Sequence, residues 1–140
     1  MQILEKDYEV TLKKIDALLN DDAMKKMGRN FEDTENLTIS LFEEEKFIGG
    51  IAAKRTAESL HVTGLAIGES YQSKGYGSQL MKRLEERAKE LGVKKISVST
   101  QNFQALNFYQ NLGYEIFGQL DDYPFTGTTK NYLIKRVQGE

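Results

Sequence analysis

The hydrophobic positions of this 140-residue chain change period along its length. From Val10 through Leu12, Ile15, Leu18 and Leu19 they recur at helical spacing, which predicts helix over the first thirty residues. The polar triplet Asn20-Asp21-Asp22 predicts a break there and a cap for a second short helix, running through Met27 and stopped by Gly28. The period then falls to two. Leu37, Ile39 and Leu41 alternate in LTISLF (37–42), and Glu43 to Lys46 would turn this strand into a second, FIGGIAAKR (47–55), to form a hairpin. The Gly49-Gly50 pair inside that strand points to a bend or close packing rather than to a site.

A third strand, LHVTGLAI (60–67), changes parity. Leu60 and Val62 define one face, but after Gly64 the large apolar residues are Leu65 and Ile67, at odd numbers. Two readings account for this. One is a β-bulge near Gly64, which would free backbone N–H and C=O groups for a ligand; the other is a strand buried on both faces with one small residue. A helix follows, with an apolar stripe of Tyr76, Leu80, Leu84, Ala88 and Leu91 and a stop at Gly92. The remaining segments are a buried strand (95–99), an amphipathic helix (104–113) closed by glycine, a strand (114–118), a polar loop and a last strand (131–137). This succession predicts an α/β (α+β) fold, a mixed sheet with helices on both faces, as a single domain over residues 1–140.

Composition narrows the function. A net charge of −2 with both signs mixed gives no basic face for nucleic acid. The absence of cysteine removes a thiol nucleophile, a disulfide framework and a Cys-based zinc site, and one histidine makes a His-rich metal site improbable. The charged N-terminal residues do not read as a signal peptide, and the longest apolar run, near FIGGIAA, is far short of a membrane span. A cytoplasmic protein with neither a nucleic-acid nor a membrane partner is expected.

The stretch YQSKGYGSQL (71–80) runs straight into the third helical pattern. It fails the spacing of a dinucleotide fingerprint, which needs glycine where Leu80 stands, and of a P-loop, since Lys74 precedes Gly75. It is either a tight capping turn or an anion cradle. In the second case unpaired N–H groups at a helix start, the helix dipole, Lys74 and Ser78 would favour a pyrophosphate.

QSKGYG (72–77), entered from the strand LAI (65–67), resembles the Gln/Arg-x-x-Gly-x-Gly/Ala signature of the GNAT family of N-acetyltransferases. The second half of that family's pattern is similar to Asn102, Ala105, Phe108 and Tyr109, followed by Leu112-Gly113-Tyr114. The likeness is close over residues 60–118. It implies a mostly antiparallel sheet with a bulged central strand, and acetyl-coenzyme A as co-substrate with no metal. Gln72, Ser73, Lys74, Gly75, Tyr76, Gly77 and Ser78 would hold the pyrophosphate, Leu65, Ala66 and Ile67 the pantetheine arm, and Asn102 a polar contact. The implied reaction is direct attack of an amine on the thioester.

The resemblance assigns Tyr109 as the acid for the departing thiolate, although an aromatic on such a helix also reads as core. His61 stands where members often place a glutamate base; a lone histidine on a strand is more often structural or at the surface, and a solvent chain or Glu69 remains open as base. The acceptor is expected to be a primary amine of a small molecule or peptide. Asp121, Asp122 and Tyr123 could attract a cationic amine or simply be solvated, and Thr128 stands where relatives often carry histidine. A non-catalytic acyl-coenzyme A-binding or sensing module of the same fold is the alternative. With either function, a homodimer paired through an edge strand is expected, as is common in such folds.

Overall fold

The computed structural model describes residues 1–101 and 103–138. It divides into two compact units, Met1–Thr34 and Glu35 onward.

The first unit carries one uninterrupted helix, α1 (Tyr8–Met27), instead of the expected pair. Asp7 caps its start by accepting from the Val10 N–H at 3.0 Å. The polar triplet does not break it. Asp21 and Asp22 pair one turn on with Lys25 and Lys26, each at 3.2 Å, which supports a continuous helix. Asn20, instead of capping, accepts the Phe31 N–H at 2.8 Å. The stop falls where the sequence puts it: Gly28 adopts φ 69° and donates to Met24 C=O.

The second unit is a mixed, mostly antiparallel sheet ordered β1-β2-β3-β4-β6-β5. Its strands are β1 (Thr34–Glu43), β2 (Lys46–Thr56), β3 (Ser59–Ile67), β4 (Lys95–Thr100), β5 (Glu115–Asp121) and β6 (Thr129–Arg136). Helices α2 (Tyr76–Glu90) and α3 (Phe103–Asn111) complete it. β5 and β6 extend further into the expected polar loop than the sequence indicates, leaving 122–128 as the connection. Leu80, Met81 and Leu84 of α2 are at most 1% exposed and pack with Ile51, Ala53, Leu60, Val62, Ile96, Val98 and Leu133 in one core. No helix among the described residues is long and apolar enough to cross a membrane.

Two features of β3 position the site. Its register with β2 pairs Ala53 with Val62 but Ala52 with Gly64, so Thr63 is an extra residue: a β-bulge. Its parallel pairing with β4 covers only Ser59–His61 against Lys95–Ser97, beyond which the two strands part. Gly49 allows β2 and β3 to approach closely, since a Cβ there would lie 2.7 Å from Ile67 Cδ1 and 2.9 Å from Ala66 O. Gly64 has open space at the same position. Gly49→Ala should therefore lower unfolding free energy by about 1–3 kcal/mol, while Gly64→Ala should stay within about 0.5 kcal/mol. Urea denaturation of the two variants checks the contrast.

Candidate active site

Where β3 and β4 part, the structure opens a cavity of about 460 Å³. One wall is the outgoing part of β3, Leu65 to Ile67, and a second is the loop and first turn of α2, from Gln72 to Ser78 without Lys74. Tyr71, of a 3-10 turn over Glu69–Tyr71, and Gln104, Ala105, Phe108 and Tyr109 of α3 complete it. Nine of the expected binding residues thus meet in one place: Leu65, Ala66, Ile67, Gln72, Ser73, Gly75, Tyr76, Gly77 and Ser78. Lys74 sits outside the lining, with Nζ 5.8 Å from the Tyr71 ring centroid. Asn102 lies outside the described residues. Tyr71 and Gln104 are not legible in the sequence, because a one-turn helix and the exposed side of α3 leave no hydrophobic period.

The loop geometry follows from its residues. Ser73 (φ 62°) and Gly75 (φ 84°) are both left-handed, and Gly75 caps α2 without any side-chain hydrogen bond. The first bond within α2 runs from Gln79 N–H to Gly75 C=O at 3.1 Å, so the N–H groups of Tyr76, Gly77 and Ser78 precede the helical ladder. The first turn carries no acidic residue. Gln72 ties the loop to the end of β3, its Nε2 donating to Ile67 C=O at 3.0 Å. Gly77 lets α3 close on α2, for a Cβ there would meet the Phe108 ring at 3.3 Å.

This donor set fits a polyanionic ligand with an extended arm. The lining offers unpaired N–H groups, the positive end of a helix and hydroxyls, with no carboxylate among them. β3 beyond the bulge presents unshared backbone toward the gap. No cluster of three or more metal-ligating side chains occurs among the described residues.

Tyr109 also lines a second cavity, of about 260 Å³, bounded by Val62 to Leu65 and Val98 to Thr100 on the parted strands. It is 5% exposed, with rings of Phe108 and Tyr114 edge-on at 5.1 and 5.8 Å. Burial pushes its phenol above the ordinary value, keeping it protonated at neutral pH. Tyr114 behind it is pushed up further, by burial first and then by Glu85, to which its hydroxyl donates at 3.0 Å. Glu85 also accepts from Lys135 at 2.9 Å.

His61 lines neither cavity. It sits exposed on the last rung shared with β4, its Nδ1 2.9 Å from Ser97 Oγ. The acidic loop residues are engaged locally. Asp121 accepts from the Thr129 hydroxyl and Asp122 from the Gly127 N–H, while the Thr128 hydroxyl donates within the loop. The Tyr123 ring already faces a cation, Lys130 Nζ, at 5.3 Å.

Residues 1–114 match the sequence profile of the Acetyltransferase (GNAT) family. The chain belongs to the GNAT family of acetyltransferases. Its relatives include a Blasticidin-S acetyltransferase of Streptomyces morookaense, 35% identical over 101 residues, which are 71% of this chain and 74% of that protein. An acetyltransferase of Bacillus cereus superposes with a TM-score of 0.84 at 28% identity, over 96% of this chain and 97% of its own. An aminoglycoside 6'-N-acetyltransferase complexed with coenzyme A superposes at 0.68 over 99% of both chains, but at 13% identity this is a likeness of fold. The GNAT match ends at Tyr114, so β5 and β6 lie beyond it.

Gly75→Ala forces a left-handed Cβ and should cost about 1 kcal/mol in a thermal melt. The tyrosines set an alkaline limit. A phenol whose folded value is raised holds its proton after the unfolded chain has begun to lose its own, so stability falls as pH rises above about 10. Unfolding followed from pH 8 to 11 should show Tyr114→Phe losing stability less steeply than the wild type, by up to about 1.4 kcal/mol per pH unit.

Proposed function

We propose that this chain, acting as one catalytic domain, transfers an acetyl group from acetyl-coenzyme A to a primary amine of a small molecule. The observation that carries this reading is the single cavity that joins the bulged end of β3, the open N-terminus of α2 and Tyr109. Family membership supports the transfer chemistry. The favoured acceptor class follows the relative named for blasticidin S, which shares 35% of its residues with this chain over the aligned span.

Bound acetyl-coenzyme A would supply an acyl group activated as a thioester. The Tyr76, Gly77 and Ser78 N–H groups would hold its pyrophosphate, and the backbone of Leu65 to Ile67 its arm. Tyr109 would hold a proton at Oη for the departing sulfur, a role suited to a phenol whose burial opposes ionisation. An alkylamine near pKa 10.4 is almost wholly protonated at pH 7, so a base is needed. His61 is the proposed base, acting through solvent because it stands outside the cavity. That role requires Nδ1–H to donate to Ser97 Oγ, leaving Nε2 to take the proton.

Removing the Tyr109 hydroxyl keeps the ring and its packing. Tyr109→Phe should lower turnover on the order of 10²-fold while coenzyme A affinity is retained. The assay is release of free thiol from acetyl-coenzyme A with blasticidin S, aminoglycosides and peptide amines as acceptors, beside calorimetric binding. Full turnover in the variant would remove Tyr109 from the mechanism. Binding without thiol release across the panel would leave an acyl-coenzyme A-binding module instead.

A further inference from the structure

Tyr71 forms part of the cavity wall, and two ammonium groups from different parts of the chain converge on its ring. Lys46 Nζ, from the first residue of β2, lies 5.6 Å from the ring centroid, and Lys74 Nζ, from the glycine loop, lies 5.8 Å away. Both lysines are exposed and neither forms an ion pair among the described residues, although Glu43, Glu44 and Glu45 immediately precede Lys46. A ring face attracts each cation but does not neutralise it, so both positive charges stay available to an anion.

The N–H groups at the start of α2 already answer the pyrophosphate, so these lysines are free for a different phosphate. We infer that Lys46 and Lys74, gathered on Tyr71, form a second anion subsite that takes the terminal 3'-phosphate of coenzyme A. This rests on the acyl-coenzyme A reading above. A phosphomonoester carries about −1.5 to −2 charges at pH 7, which two ammonium groups match. In the ligand it is one ribose removed from the pyrophosphate, and Lys46 and Lys74 stand outside the cavity lining. The subsite makes the protein selective for coenzyme A over its dephosphorylated form, without either lysine touching the reacting atoms.

The test is calorimetric binding of coenzyme A and of 3'-dephospho-coenzyme A to the wild type, Lys46→Gln, Lys74→Gln and the double variant, at low and moderate salt. Melts without ligand verify that each variant is folded. The wild type should prefer coenzyme A. Each substitution should weaken it by about three- to fivefold, and the preference should shrink with salt. Dephospho-coenzyme A should bind the wild type and Lys46→Gln equally, and the double variant should no longer distinguish the two ligands. Equal affinity of the wild type for both ligands would overturn the subsite while leaving the acyl-coenzyme A reading intact. So would a Lys46→Gln variant weakened equally toward both. Failure of the wild type to bind coenzyme A would overturn that reading and the subsite with it.

Discussion

Thr63 has no partner on β2, and the rest of the site follows from that extra residue. Paired without a bulge, the strand would turn Leu65 and Ile67 to the face opposite Leu60 and Val62. With it, both stay packed against the core, and the strand bends away from β4. The bulge satisfies two demands at once. It keeps the apolar side chains of β3 under α2, and it leaves the backbone of residues 65–67 beside an open gap.

The N–H groups that face the gap are held by packing, not by a ligand. Burying each of Leu80, Met81 and Leu84 contributes roughly 1.5–3 kcal/mol, whereas a charge at a helix N-terminus contributes about 0.3–1 kcal/mol. The direction of α2 is therefore set before any anion arrives. Further along the same helix Glu85 fixes Lys135 of β6 and Tyr114 together, so one element carries the donors at its start and a half-buried polar anchor at its middle. A cavity wall built this way is preorganised, and little ordering would remain to oppose the binding of an anion.

Much of this could be read from residue order alone, for identifiable reasons. The parity change at Gly64 and the glycines at 75 and 77 are local signals, and local signals survive in one dimension. The pairing that decides between a bulge and a two-sided strand does not, because Ala52 and Ala53 sit on another strand. Lys46 and Tyr71 are far apart in sequence and meet only through the hairpin, so nothing in the order of residues joins them. The expected break in α1 failed for the opposite reason: Asp21 and Asp22 resemble a cap until Lys25 and Lys26 are counted one turn later. His61 was legible as a chemical type but not as a location, since alternation gives a face and not a distance to the cavity.

The insertion of β6 between β4 and β5 sets the order in which the fold can be completed. During synthesis β4 emerges with only three rungs available on β3, and β5 emerges with no neighbour at all. Both wait for β6, which supplies six rungs to β4. Until then two strands carry unpaired edges, a state that slows folding and invites pairing with other chains. The gap between β3 and β4 thus begins as an exposed flank of a half-built sheet, and β4 becomes firm only when the last strand has paired with it.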